Sequence, residues 1–190
     1  MSIETYVAYH TCQLKNGYEY ICTNIPFLSR DGPNQWLTRG FYFWTDSAHW
    51  AKQWLREGNR VIGQFDLSLC FRTEVLDLVG NVHHQEQFIA MRDVVLNKLP
   101  ESERHNITVN QIINFLREDD VIFPYLAIKA QDLKATEKID FIDKGQNNPK
   151  ISLVNRQQIC VFEKARERIS LIGFIEPKPF SEKMPARLQR

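Results

Sequence analysis

Gly40-Phe41-Tyr42-Phe43-Trp44-Thr45-Asp46-Ser47-Ala48-His49-Trp50-Ala51-Lys52-Gln53-Trp54 is the stretch on which the fold turns. Gly40 punctuates its start, and the aromatic run Phe41 to Trp44 suits a strand buried on both faces. Thr45 and Asp46 then stand where a helix N-cap is expected, because their side-chain oxygens can accept from the free N–H groups of a first turn. Ala48, Ala51 and Leu55 follow at helical spacing, and Trp50 and Trp54 fall one turn apart. The stretch therefore reads as a strand running straight into a capped helix. A strand carrying a Tyr ahead of such a helix is a good place to hold a planar ligand. Rows of aromatic residues are ordinarily core, so the pattern alone does not make a site.

Upstream, residues 6–11 (Tyr6-Val7-Ala8-Tyr9-His10-Thr11) read as the first strand, with Ala8 and His10 on one face and Val7 and Tyr9 on the other. A histidine near the end of an apolar strand is ordinarily a satisfied structural residue. Residues 16–39 are irregular, broken by Gly17, Pro26, Gly32 and Pro33, and read as a long loop with short turns, of a length that is often functional.

Downstream, residues 60–67 and 74–79 read as strands. Asn81 can cap a helix that runs through Lys98 on a stripe of Phe88, Met91 and Val95, before Pro100 stops it. The neighbours His83 and His84 sit in its first turn, point about 100° apart and have no third ligand nearby, so they read as surface residues. Thr108-Val109-Asn110-Gln111 is a capping-box signature ahead of Ile112, Ile113, Phe115 and Leu116. Residues 121–128 are strand-like with Pro124 at an edge or bulge, residues 138–142 are a short strand, and residues 145–149 form a turn. Residues 151–162 give the last long strand, with Gln158, Cys160 and Phe162 on one face. Residues 163–169 are helical or turn-like, residues 170–175 close the sheet, and the tail 177–190 reads as loose. Strands without regular β-α-β alternation predict an α+β fold, in one domain over residues 1–176.

The 190 residues suffice for one generous domain, and 43% hydrophobic content supports a sizeable core. With 24 basic and 23 acidic side chains spread along the chain, there is no basic stripe of the kind a dedicated nucleic-acid or anionic-membrane surface needs. A small anionic ligand needs only one or two local cations. Cys12, Cys22, Cys70 and Cys160 form no C-x-x-C pair and have no histidine at ligand spacing, so they read as free thiols, with no metal site. The N-terminus lacks a basic region followed by an apolar one, and no apolar run reaches membrane-spanning length. The chain reads as cytoplasmic, with no membrane partner, although export that leaves no cleavable signal stays open.

Three separated strands thus place polar or aromatic residues suggestively: Tyr9-His10-Thr11, Gly40-Phe41-Tyr42-Phe43 and Gln158-Ile159-Cys160-Val161-Phe162. Their order and spacing resemble the ADP-ribosyltransferases of the diphtheria-toxin and poly(ADP-ribose)-polymerase type. That clade has a histidine followed by a small or hydroxyl residue on its first strand, which His10-Thr11 matches. Its Gly-x-Tyr-Phe strand running into an alanine-bearing helix is matched by Gly40, Tyr42, Phe43 and Ala51. Its late strand usually begins with glutamate, and Gln158 stands there. The run from Gln158 through Phe162, with Glu163-Lys164-Ala165 and residues 171–174, is particularly similar to a group of uncharacterised bacterial domains of this fold. The resemblance spans residues 6–175 and is carried by these three short motifs.

The resemblance implies an ADP-ribosyltransferase-like fold of two packed, mostly antiparallel sheets with flanking helices, and NAD as the donor substrate. His10 would hydrogen-bond the adenosine ribose, Thr11 and Gly40 would complete the cofactor-binding motifs, and Tyr42 would stack on the nicotinamide, adding roughly 0.5–1.5 kcal/mol beyond burial. Gln158 would take the catalytic position and hold a ribose hydroxyl. Cleaving the nicotinamide–ribose bond passes through an oxocarbenium-like state, comparable to glycoside cleavage. An amide carries no negative charge to oppose that state and cannot act as a general base. Glu163 should face away from Gln158, and Glu19 or Asp31 of the long loop could supply a carboxylate instead. Three functional readings follow: transfer of ADP-ribose to a protein, nucleic acid or small molecule; NAD hydrolysis; or a non-catalytic module that binds NAD, another nucleotide or a protein partner. His10 and Tyr42 as mere core residues of another α+β fold is the plain alternative.

Overall fold

The computed structural model describes residues 4–30, 32, 35–142 and 149–187. The elements run β1 Glu4–Gln13, α1 Gly17–Asn24, β2 Phe41–Thr45, α2 Ala51–Trp54, β3 Arg60–Leu69, β4 Val75–Asp77, α3 Val82–Lys98, α4 Glu101–Arg104, α5 Val109–Leu116, β5 Ala127–Asp140 and β6 Lys150–Val161. A 3-10 segment, Glu163–Arg168, then leads into β7 Ile169–Glu176 and α6 Lys178–Lys183. The fold is α+β.

The strands form one continuous curled sheet in the order β4-β5-β6-β2-β1-β3-β7, antiparallel except for β4 with β5. This differs from the expectation of two sheets. The reason lies in β2, which pairs with β6 on one side and with β1 on the other. The join to β1 is slight: only Ala8 with Thr45 and Tyr9 with Trp44 are in register, whereas β1 and β3 pair over ten residues. Side chains from both sides of that seam, among them Ala8, Phe65 and Phe174 with Phe43, Ile159 and Val161, meet in one buried cluster. A second cluster packs α3 and α5 onto β4, β5 and β6 through Val95, Ile112, Ile113, Leu116, Leu76, Ile128 and Cys160.

Local chemistry explains most of the elements. The Asn81 side chain accepts from the His84 N–H, and Thr108 and Gln111 form the complete capping box. Several sequence expectations change. Residues 16–39 are not all loop, because Tyr18, Ile21 and Cys22 at helical spacing pack α1 against the core. The helix after β2 is short and starts at Ala51, without a side-chain cap from Thr45 or Asp46. Asp46 instead has a left-handed φ of 64°, and its carboxylate takes the Tyr6 hydroxyl and the Gln157 amide. β5 starts at Ala127, leaving Val121 and Ile122 exposed in a turn, and it takes in residues 138–140 of the strand expected over 138–142. His84 is buried rather than on the surface: its Nδ1 accepts from the Asp77 N–H, and its ring packs edge-on to Tyr125. The tail expected to be loose carries α6, whose Phe180 is buried against Phe174 and Tyr18. Of the turn expected at 145–149, residues 145–148 lie outside the described residues, as do Asp31 and Pro33. Among the described residues no helix is long and apolar enough to cross a membrane.

Candidate functional site

β1 and β2 stop pairing after Tyr9 and Trp44, and the gap this leaves is the floor of a cleft of about 370 Å³. His10 and Thr11 from β1, Tyr42 from β2 and Gln158 from β6 all line it. Four of the residues singled out in sequence thus come together from three strands. Register explains part of the grouping: Trp44 lies opposite Gln158 and Tyr42 opposite Cys160, so Tyr42 and Gln158 share one face, while His10 and Thr11 reach the cleft from β1 just past the end of its pairing with β2.

His10 is 7% exposed, and both of its ring nitrogens meet backbone. Nδ1–H donates to the Tyr42 carbonyl at 2.8 Å, which leaves Nε2 to accept from the Phe27 N–H at 3.3 Å. Burial lowers its pKa from the ordinary 6.5 to about 4, against the smaller raising effect of the Tyr42 bond. The imidazole is therefore neutral and fastens β1, β2 and the loop at Phe27 together. To bond a ribose hydroxyl through Nε2 it must give up the Phe27 N–H. The Thr11 hydroxyl donates to the Ala51 carbonyl at 3.1 Å and ties β1 to α2.

The Tyr42 hydroxyl is fixed by a turn. It donates to the Thr38 carbonyl at 2.7 Å and accepts from the N–H groups of Thr38 at 3.0 Å and Leu37 at 3.3 Å. Burial holds this phenol well above its usual pKa range, so it stays protonated and its ring presents a neutral wall. Thr38 is held in turn by Arg117, which donates to its hydroxyl and to the Arg39 carbonyl, each at 2.9 Å. Arg117 also pairs with Glu163 at 2.8 Å and lies 4.2 Å over the Phe162 ring. Glu163 is thus committed to arginines and does not line the cleft.

Gly40 does not line the cleft either. A Cβ there would lie 2.6 Å from both the Cys160 sulfur and the Val161 carbonyl oxygen, so only glycine lets β2 begin so close to β6. Its backbone exchanges two bonds with Ser29, N–H to Oγ at 3.1 Å and carbonyl to N–H at 3.0 Å, and this seats the loop on the cleft.

Gln158 is 5% exposed, and its amide makes no hydrogen bond to protein among the described residues. Sequence reading missed the walls around it: Phe27, Trp36, Trp44 and Trp54, with Arg30 on the rim. The usable signal was the crowding of all four tryptophans of the chain between positions 36 and 54. Among the described lining residues, Arg30 is the cation, it has no ion-pair partner, and no carboxylate is present. Glu19 is exposed on α1 away from the cleft, and Asp31 lies outside the described residues. Among the described residues no three His, Cys, Asp or Glu side chains gather as a metal site would need.

The arrangement can surround a planar ring with aromatic side chains, offer it one amide, and meet a nearby negative charge with one guanidinium. Comparison of the chain with family models, with curated proteins and with solved structures gives no match in any of the three.

Proposed function

We propose that the cleft binds NAD and that the protein is of the ADP-ribosyltransferase type, with NAD as the ADP-ribose donor. One observation carries this reading: His10, Thr11, Tyr42 and Gln158, from three strands far apart in sequence, line the same aromatic cleft. Its volume of about 370 Å³ falls within the range of small-molecule sites. The nicotinamide ring packs against Tyr42 and the tryptophans, and Arg30 meets the diphosphate. In transfer, the bond between ribose C1′ and the nicotinamide nitrogen breaks, the electron pair leaves with nicotinamide, and an acceptor nucleophile or water adds to C1′ and loses its proton. The fixed ring of Tyr42 orients the leaving group.

The second reading, a non-catalytic module that binds NAD or another nucleotide, is favoured by the absence of a carboxylate among the described lining residues. If a carboxylate supplies even about 3 kcal/mol at the oxocarbenium, its replacement by an amide costs about two powers of ten in rate. Calorimetric titration with NAD, with nicotinamide release followed on the same sample, separates the two. Saturable binding that Tyr42→Ala weakens, together with release, supports transfer or hydrolysis. Binding without release supports the module, and absence of binding removes both.

A further inference from the structure

Two glutamines are buried in this sheet, and they are treated differently. Gln64, 2% exposed, uses both ends of its amide: the nitrogen donates to the Tyr9 hydroxyl at 3.4 Å and the Arg187 carbonyl at 3.2 Å, and the oxygen accepts from the Arg187 N–H at 2.7 Å. Gln158, 5% exposed, has no protein partner among the described residues and faces the cleft. The Gln158 amide is not sealed in the core but opens to the cleft and to whatever occupies it, whereas the Gln64 amide is used up inside the fold. Across the ladders Gln158 is flanked by Trp44 on β2 and Ala130 on β5, and neither side chain hydrogen-bonds to it.

An amide presents one donor and one acceptor side by side in a plane. Its full complement is another edge with an acceptor and a donor side by side, and the aromatic walls around Gln158 select a planar ring to carry that edge. A carboxylate offers only acceptors and leaves the Gln158 oxygen facing like charge. We propose that Gln158 is the specificity-determining residue of the cleft, reading the amide-type edge of a planar ring by a two-point hydrogen bond rather than a ribose hydroxyl. This rests on the reading of the cleft as a ligand site. The edge is the carboxamide of nicotinamide or the amino-and-ring-nitrogen edge of a nucleobase such as adenine.

The test is calorimetric titration of wild type and Gln158→Met with two matched pairs of ligands. The first pair is NAD and nicotinic acid adenine dinucleotide, which differ only by carboxamide against carboxylate. The second is AMP and purine riboside monophosphate, which lacks the amino group. The expected result is a preference of about tenfold for NAD within the first pair, the scale of a lost buried hydrogen bond, which collapses in Gln158→Met. A Gln158-dependent preference confined to the second pair keeps Gln158 as the reader of a base edge and rejects nicotinamide as what it reads. Preferences that survive in Gln158→Met, no preference within either pair, or no binding of all four compounds overturn the proposal. Circular dichroism and thermal unfolding of Gln158→Met establish that the variant is folded.

Discussion

The imidazole of His10 donates from Nδ1 to the main-chain carbonyl of Tyr42 at 2.8 Å, across the gap where β1 and β2 have ceased to pair. A side chain thus stands in for a ladder bond at the floor of the cleft, and its neutral form is the one that fits. Between pH 6.5 and about 4 the unfolded chain takes a proton at this residue and the folded chain does not. Stability is therefore expected to fall as pH is lowered through that window, by about 3 kcal/mol in full. Urea unfolding at a series of pH values checks this, with His10→Gln flattening the dependence. His84, also shifted down by burial, contributes with the same sign, so His84→Gln serves as the comparison.

The contrast between the two buried glutamines has its own signature. Gln158→Met removes an amide that opens to the cleft and has no protein partner among the described residues, so stability is expected to change by less than about 0.5 kcal/mol. Gln64→Met leaves the Arg187 N–H without its acceptor and should lower stability by about 1–2 kcal/mol. Equal effects in the two variants would contradict the assignment.

Gly40 and Gly32 form a second matched pair. Gly40→Ala forces a Cβ to within 2.6 Å of a backbone oxygen on β6, which cannot move without breaking the ladder, and a loss above about 2 kcal/mol is expected. Gly32→Ala meets nothing within 4 Å and should be neutral or slightly stabilising. Thermal melts of the two variants decide.

Arg117 does not line the cleft, yet it holds Thr38, whose backbone holds the Tyr42 hydroxyl. Arg117→Ala is expected to lose about 1–3 kcal/mol of stability and to weaken binding of NAD several-fold. Arg117→Lys should recover little, because an ammonium cannot reach the Thr38 hydroxyl, the Arg39 carbonyl and Glu163 with one planar fork. Recovery by lysine would show that charge alone matters.

The stretch from Gly40 to Thr45 was legible as a strand because an apolar run bounded by glycine has few other readings, and the caps at Asn81 and Thr108 were legible because capping is local. What was hidden depended on partners distant in sequence. α1 presents one fully buried side chain, Ile21, so its periodicity is faint. His84 looks like a surface residue until Asp77 and Tyr125 arrive on other elements. Phe27, Arg30 and Trp36 lie in an irregular loop, where no period says which way a side chain points, and their place in the site follows from the bonds that Ser29 makes with Gly40.

The two-pair seam between β1 and β2 has a consequence for what the cleft can admit. Backbone register bears on its aperture: each further rung between these strands would bring His10 opposite Phe43 and then Thr11 opposite Tyr42 and narrow the mouth, and each rung removed would widen it. An inserted or deleted residue in β2 would reset that spacing, the kind of change by which one scaffold acquires a ligand of a different shape.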